Sequence, residues 1–148
     1  MKIEWSWFAG ILLILFFGGC ATNTSTATQQ MALSAYQSGD YDQASKLFEQ
    51  LTDEIPKDAE LWFKLGNSYA REKRPQKAIE AYQNTLLREP DLAKGWYNMG
   101  IVQMQIALKT FIDMGKYSKS EDAVSAQGEK MREGLMFLLQ GDSEEKND

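Results

Sequence analysis

The sequence predicts an all-α fold of antiparallel helix pairs stacked side by side, and three observations lead there. The first is recurrence. Ala44 returns as Ala78, Phe48 as Tyr82, Ile55-Pro56 as Glu89-Pro90, Trp62 as Trp96, Phe63 as Tyr97 and Gly66 as Gly100, every step being 34 residues. A register shared by so many positions marks a repeat array, in which each unit buries its apolar face only against its neighbours. The second is spacing: Trp62, Leu65 and Tyr69 fall three or four apart and share one helix face. The third is proline. Pro90 follows a helix that has run its length, where its ring stops continuation. Pro75, after Arg74, opens another helix, where a missing N–H costs nothing.

Taken from the N-terminus, Met1 to Glu4 is polar and contains Lys2. Trp5 to Gly19 is then almost wholly apolar over fifteen residues, short of the ~20 a transmembrane helix needs and suited to the core of a signal peptide. It closes in Phe17-Gly18-Gly19-Cys20, which resembles the lipobox of bacterial lipoproteins, with Phe17 where leucine is usual. The resemblance implies that residues 1–19 are removed and that Cys20 is acylated and becomes the new N-terminus. Three acyl chains would exceed the two-signal threshold for stable membrane attachment. Residues 20–30, through Ala21-Thr22-Asn23-Thr24-Ser25-Thr26-Ala27-Thr28-Gln29-Gln30, are small, polar and uncharged, as a flexible tether would be. Ala21 is not the aspartate that holds lipoproteins of enteric-type bacteria in the inner membrane. By that analogy the address is the outer membrane, on its periplasmic face. The alternative is an uncleaved inner-membrane signal anchor with an incidental cysteine.

The helical domain is expected over 31–140. Its middle unit, Ala59 to Leu92, carries Trp62, Leu65, Gly66, Tyr69, Ala78, Tyr82 and Pro90. In this spacing it resembles a complete tetratricopeptide repeat, departing only at Thr85, where a small alanine is usual. Residues 25–58 form a weaker first repeat, with Gly39-Asp40-Tyr41, Ala44, Phe48, Leu51 and Pro56 in register and Thr28 in place of the aromatic. The third begins at Ala93 with Trp96, Met99 and Gly100 and then degenerates over 93–140, Gln103 and Ile112 breaking the pattern. Leu92 to Met114 can be read as one long helix, broken at Gly115-Lys116. A final helix, about Ser120 to Gln140, would place Val124, Met131, Leu135, Leu138 and Leu139 inward, the two forming an elongated capping pair. Residues 141–148 are expected to be a solvated acidic tail. The resemblance implies a short right-handed superhelix with a concave face.

Composition narrows the function. Sixteen Lys and Arg against twenty-one Asp and Glu leave a net charge of -5, without the basic stripe that nucleic acid selects. There is no histidine, so neither the commonest general base nor the commonest transition-metal ligand is present, and the single cysteine forms no internal disulfide. The carboxylate pairs Asp53-Glu54, Glu121-Asp122 and Glu144-Glu145 sit at helix ends or in the tail, not converging on a cleft. No enzyme activity, catalytic residue, metal or cofactor is expected.

What remains is the concave face. In the tetratricopeptide family the first helix of each pair lines it. By that resemblance the lining is Leu33 and Tyr36 from the first repeat, Phe63, Asn67, Ala70 and Arg71 from the second, and Lys94, Tyr97, Asn98, Ile101 and Met104 from the third. Two asparagines among apolar side chains would suit a short peptide, the amides bonding its backbone while Phe63 and Tyr97 take its side chains. Some relatives grip a C-terminal carboxylate with Lys and Asn here; Asn67 and Asn98 match part of that set, but Phe63 replaces the first Lys. The alternative is that Phe63, Tyr97 and Ile101 only pack against the C-terminal helices. The function expected is therefore a membrane-anchored scaffold or adaptor for a protein or peptide partner of the bacterial envelope, of the kind that assembles pilus, secretion or polysaccharide export complexes. A structural subunit with no open groove is the alternative, and an accessory to cell-wall enzymes a remote one. Oligomeric state is open.

Overall fold

The computed structural model describes residues 21–118 and 122–145. Residues 1–19, Cys20 and the last three residues of the expected tail lie outside them. Six helices follow one another: α1 (Ala21–Gln37), α2 (Tyr41–Glu54), α3 (Ala59–Arg71), α4 (Pro75–Arg88), α5 (Ala93–Tyr117) and α6 (Ala123–Glu145). Each packs chiefly on the helix before it and the helix after it, as a one-dimensional stack requires.

Local chemistry sets the ends. Asp40 caps α2 by accepting from Gln43 N at 3.1 Å, and Asp58 caps α3 by accepting from Glu60 N at 2.9 Å and Leu61 N at 3.2 Å. Pro75 opens α4 just after Arg74. The α1–α2 turn passes through Gly39 at φ 83°, and the α3–α4 turn through Lys73 at φ 59°, again 34 residues on. The next step lands on Ala107, inside α5, so no third turn forms at that register.

The core runs from α1 to the first half of α5. Ala32, Ala44, Phe48, Leu51, Leu61, Ala78 and Tyr82 are 2 % exposed or less, and Met99 and Val102 close the far side. Burying a side chain such as Phe48 contributes about 1.5–3 kcal/mol. The Thr85 departure is accommodated rather than strained: its hydroxyl donates back to Ala81 O at 3.1 Å, and it stands opposite buried Gly95, where a β-carbon would lie 3.0 Å from Leu86 and 3.7 Å from Thr85.

Several expectations are corrected at the two ends. The segment read as a tether is helical from Ala21 onward; it contains no Gly or Pro, and Ala32, fully buried farther along, holds the helix on the core. Gly115-Lys116 does not end α5, which continues to Tyr117 and stops at Ser118. A helical glycine costs about 1 kcal/mol, less than is needed to break a long helix. The last helix begins at Ala123, with Asp122 accepting from Ser125 N at 2.8 Å, and runs to Glu145, so most of the expected tail is helical. Its inward face is only partly the expected one: Leu135 and Leu139 are half-buried. Val124, Met131 and Leu138 are 66, 50 and 58 % exposed, whereas buried Gly128 meets Met114 and Phe111 of α5.

Candidate partner-binding cavity

A cavity of about 480 Å³ opens between α1, α3 and α5. It exists because the first helix of each pair turns one side inward to the core and leaves the adjacent side facing its neighbours' equivalents. Tyr36 enters from α1, Asn67, Ala70 and Arg71 from α3, and Asn98 and Ile101 from α5. Four further residues complete the wall that the sequence reading missed: Tyr82, Val102, Gln105 and Leu139. Tyr82 carried a signal as a repeat position, but its hydroxyl end reaches through the helix pair. Leu139 was expected to face inward, but only the fold shows that α6 brings its end across this face.

The centre of the site is a hydrogen-bonded triad. Asn67 Oδ1 accepts the Tyr82 hydroxyl at 2.8 Å and Asn98 Nδ2 at 2.8 Å. Burial pushes the Tyr82 hydroxyl pKa well up, so the phenol stays protonated and keeps donating. With its oxygen saturated by two donors, Asn67 has its amide N–H₂ left to give, and Asn98 keeps its carbonyl oxygen to accept with. The pair therefore offers one donor and one acceptor, the complement of a peptide unit. Arg71 is the one formal charge in the wall, exposed and without an ion pair among the described residues.

The remaining residues expected on this face are not gathered there. Phe63 is 8 % exposed, tilted against the Tyr82 ring at 6.0 Å, with Lys94 Nζ 4.5 Å above it. It is part of the core, since its position beside Gly66 points it at the ring that Gly66 admits. Lys94 is held by Glu60 at 2.7 Å. Leu33 packs partly buried on the core, Met104 is half-buried, and Tyr97 is 51 % exposed outside the cavity.

Titratable groups converge elsewhere, on a second cavity of about 430 Å³ between α2, α3 and α4. Tyr69 donates its hydroxyl to Glu49, and Lys77 lies 3.4 Å from the same carboxylate. Burial and that hydrogen bond push the Tyr69 pKa up; burial opposes the Glu49 shift, yet Tyr69 and Lys77 hold its carboxyl below the usual range. Both groups move away from neutrality, the reverse of what general acid–base catalysis needs. Among the described residues no helix is long and apolar enough to cross a membrane.

Comparison with known proteins agrees with this architecture. Residues 30–94 match the tetratricopeptide repeat family. The peroxisomal targeting signal receptor of Saccharomyces cerevisiae is 31% identical over 90 residues, covering 58% of this chain and 15% of the receptor. Its Candida albicans counterpart is 32% identical over 77 residues, 51% of this chain and 13% of the receptor. The chain thus spans less than a sixth of these relatives. The crystal structure of PcrH in complex with the chaperone binding region of PopD superposes with a TM-score of 0.57 at 19% identity, over 81% of this chain and 96% of that one. That likeness supports the stacked helical-repeat fold.

Proposed function

We propose that this tetratricopeptide-repeat chain is a lipid-anchored adaptor of the bacterial envelope that holds an extended segment of a protein partner in the cavity between α1, α3 and α5. The observation that carries the partner-binding part is the saturation of Asn67 Oδ1 by Tyr82 and Asn98, which leaves a donor and an acceptor at the spacing of two neighbouring side chains. Backbone recognition suits an extended segment, and Ile101 and Tyr36 offer apolar surface to its side chains. A protein partner is in keeping with the relatives, one a peroxisomal targeting signal receptor and the other, PcrH, seen in complex with the chaperone binding region of PopD. The anchor rests on Phe17-Gly18-Gly19-Cys20 and the apolar run before it. Assembly of a pilus, secretion or polysaccharide export complex is the role to which such an anchored adaptor is best suited.

A photo-crosslinking residue at Gln105 tests the cavity in cells. We expect a discrete adduct with an envelope protein that disappears with Arg71→Glu and with Asn98→Ala, while a crosslinker at exposed Lys57 gives none. Equal adducts from both positions would sink the partner site. The anchor is tested separately by mass spectrometry and membrane fractionation of wild type and Cys20→Ala. Wild type should begin at a triacylated Cys20 and sediment with the outer membrane; retention of Met1 in both would overturn the envelope placement. One observation favours a second reading, a structural subunit whose groove is filled by its own helix: Leu139 of α6 stands in the cavity wall. On that reading Gln105 gives no partner adduct while Leu139 is in place, whereas an open site gives one in the wild type.

A further inference from the structure

The second and third repeats share an entrance motif, and only one of the two is complete. Trp62 Nε1 donates to Pro56 O at 3.0 Å, and 34 residues on Trp96 Nε1 donates to Pro90 O at 2.8 Å. In the second repeat Arg88, at the end of α4, closes the motif. Its guanidinium lies 4.9 Å from the Trp62 ring centroid, and its Nε donates to the same Pro56 oxygen. The helix that would return to the matching place in the third repeat is α6. It leans on α5 with its end toward the cavity instead, and Trp96 stays 53 % exposed. Among the described residues no cation lies over Trp96, and Pro90 O accepts only from the indole.

The charges around the open motif differ from those around its template. Pro90 is flanked by Glu89 and Asp91, both exposed and without an ion pair among the described residues; the flanking positions at Pro56 are Ile55 and Lys57. Nearby cations are committed: Arg88 to Trp62, Pro56 O and Asn84, and Lys94 to Glu60. An indole face, a carbonyl oxygen with a spare lone pair and two carboxylates together favour a cation. A planar guanidinium can stack on the ring and donate to the oxygen at once, which an ammonium cannot do in one geometry.

We infer that the Trp96–Pro90 corner docks an arginine-bearing helix of a partner protein, the guanidinium stacking on Trp96 and donating to Pro90 O as Arg88 does one repeat earlier. The surface is separate from the cavity, so either can fail without the other.

The test uses the full chain in detergent micelles with ¹⁵N-labelled indoles, the Trp62 and Trp96 signals being assigned by single Trp→Phe substitutions. The probe is a peptide copying Pro75–Arg88, this chain's own closing helix, with versions carrying glutamine or lysine in place of the arginine. We expect the Trp96 indole signal to move saturably while that of Trp62 stays in place. The glutamine peptide should bind about fivefold more weakly, as loss of an exposed cation–π contact implies. Glu89→Gln with Asp91→Asn should weaken the arginine peptide further and flatten its salt dependence. A still Trp96 signal at millimolar peptide, or equal response to arginine and glutamine, would overturn the inference. So would movement driven by protein concentration alone, which would give the corner to a second copy of the chain.

Discussion

The backbone of Gly66 lies so close to the Tyr82 ring that a β-carbon there would stand 2.6 Å from Cε1 and 2.7 Å from Cδ1. Tyr82 is 1 % exposed and cannot retreat, and its hydroxyl must stay over Asn67. Gly66→Ala should therefore cost about 1–3 kcal/mol, seen as a lower urea midpoint with the slope unchanged. Gly100 occupies the same repeat position, yet nothing lies within 4 Å of its missing β-carbon. Gly100→Ala should stabilise the fold by about 0.5–1 kcal/mol, seen as a higher midpoint. Loss at both positions would contradict the contact as the cause.

Lys73 holds the left-handed turn that Gly39 holds one repeat earlier. An L side chain in that conformation costs about 1–2 kcal/mol, partly offset by the greater freedom a glycine has when unfolded. Lys73→Gly should stabilise the fold by about 0.5–1 kcal/mol, seen as a higher denaturation midpoint. The reverse change, Gly39→Lys, should lower it.

Alkaline pH should destabilise the fold through Tyr69 and Tyr82. Both folded-state pKa values are raised, chiefly by burial, so the unfolded chain releases its phenolic protons first, at a pH of about 10. The stability these groups contribute is complete below that pH and is lost as pH climbs through the raised values. Thermal midpoints should fall steeply above it, and Tyr82→Phe should make the fall shallower. An unchanged slope in that variant would count against burial of the hydroxyl.

The Lys94–Glu60 pair joins consecutive repeats at 2.7 Å, both side chains 47% exposed. At that exposure a double-mutant cycle of Lys94→Gln with Glu60→Gln should give a coupling of at most about 1 kcal/mol, vanishing in high salt. A coupling that survives salt would show that the pair is less solvent-screened than its exposure implies.

Much of the stack was legible because repetition constrains it twice, by period and by helical face. Gly66, Ala78, Tyr82 and Pro75 each stand where their size or missing N–H is used. Reading failed where repetition stops. On α6 the apolar spacing suggests a buried line through Val124, Met131 and Leu138, but these are half or more exposed and the helix seats Gly128 against Met114 instead. Gly100 shows the converse, a family glycine kept where the tyrosine that justifies it has become Lys116. In the cavity, Asn67 and Asn98 were found by register, while Phe63 was misplaced because position alone does not separate the side of a helix that packs from the side beside it.

The lean of α6 on α5 divides the molecule energetically into unequal parts. The earlier helices are tied across repeats by a shared core, so none can leave without exposing its neighbours. The sixth shares little of that core and can fray with small loss. Amide hydrogens of α6 should exchange with solvent well before those of α3 and α4. Since Leu139 departs with it, anything seated on Asn67 and Asn98 would be coupled to that fraying, its residence time set in part by a helix it barely touches.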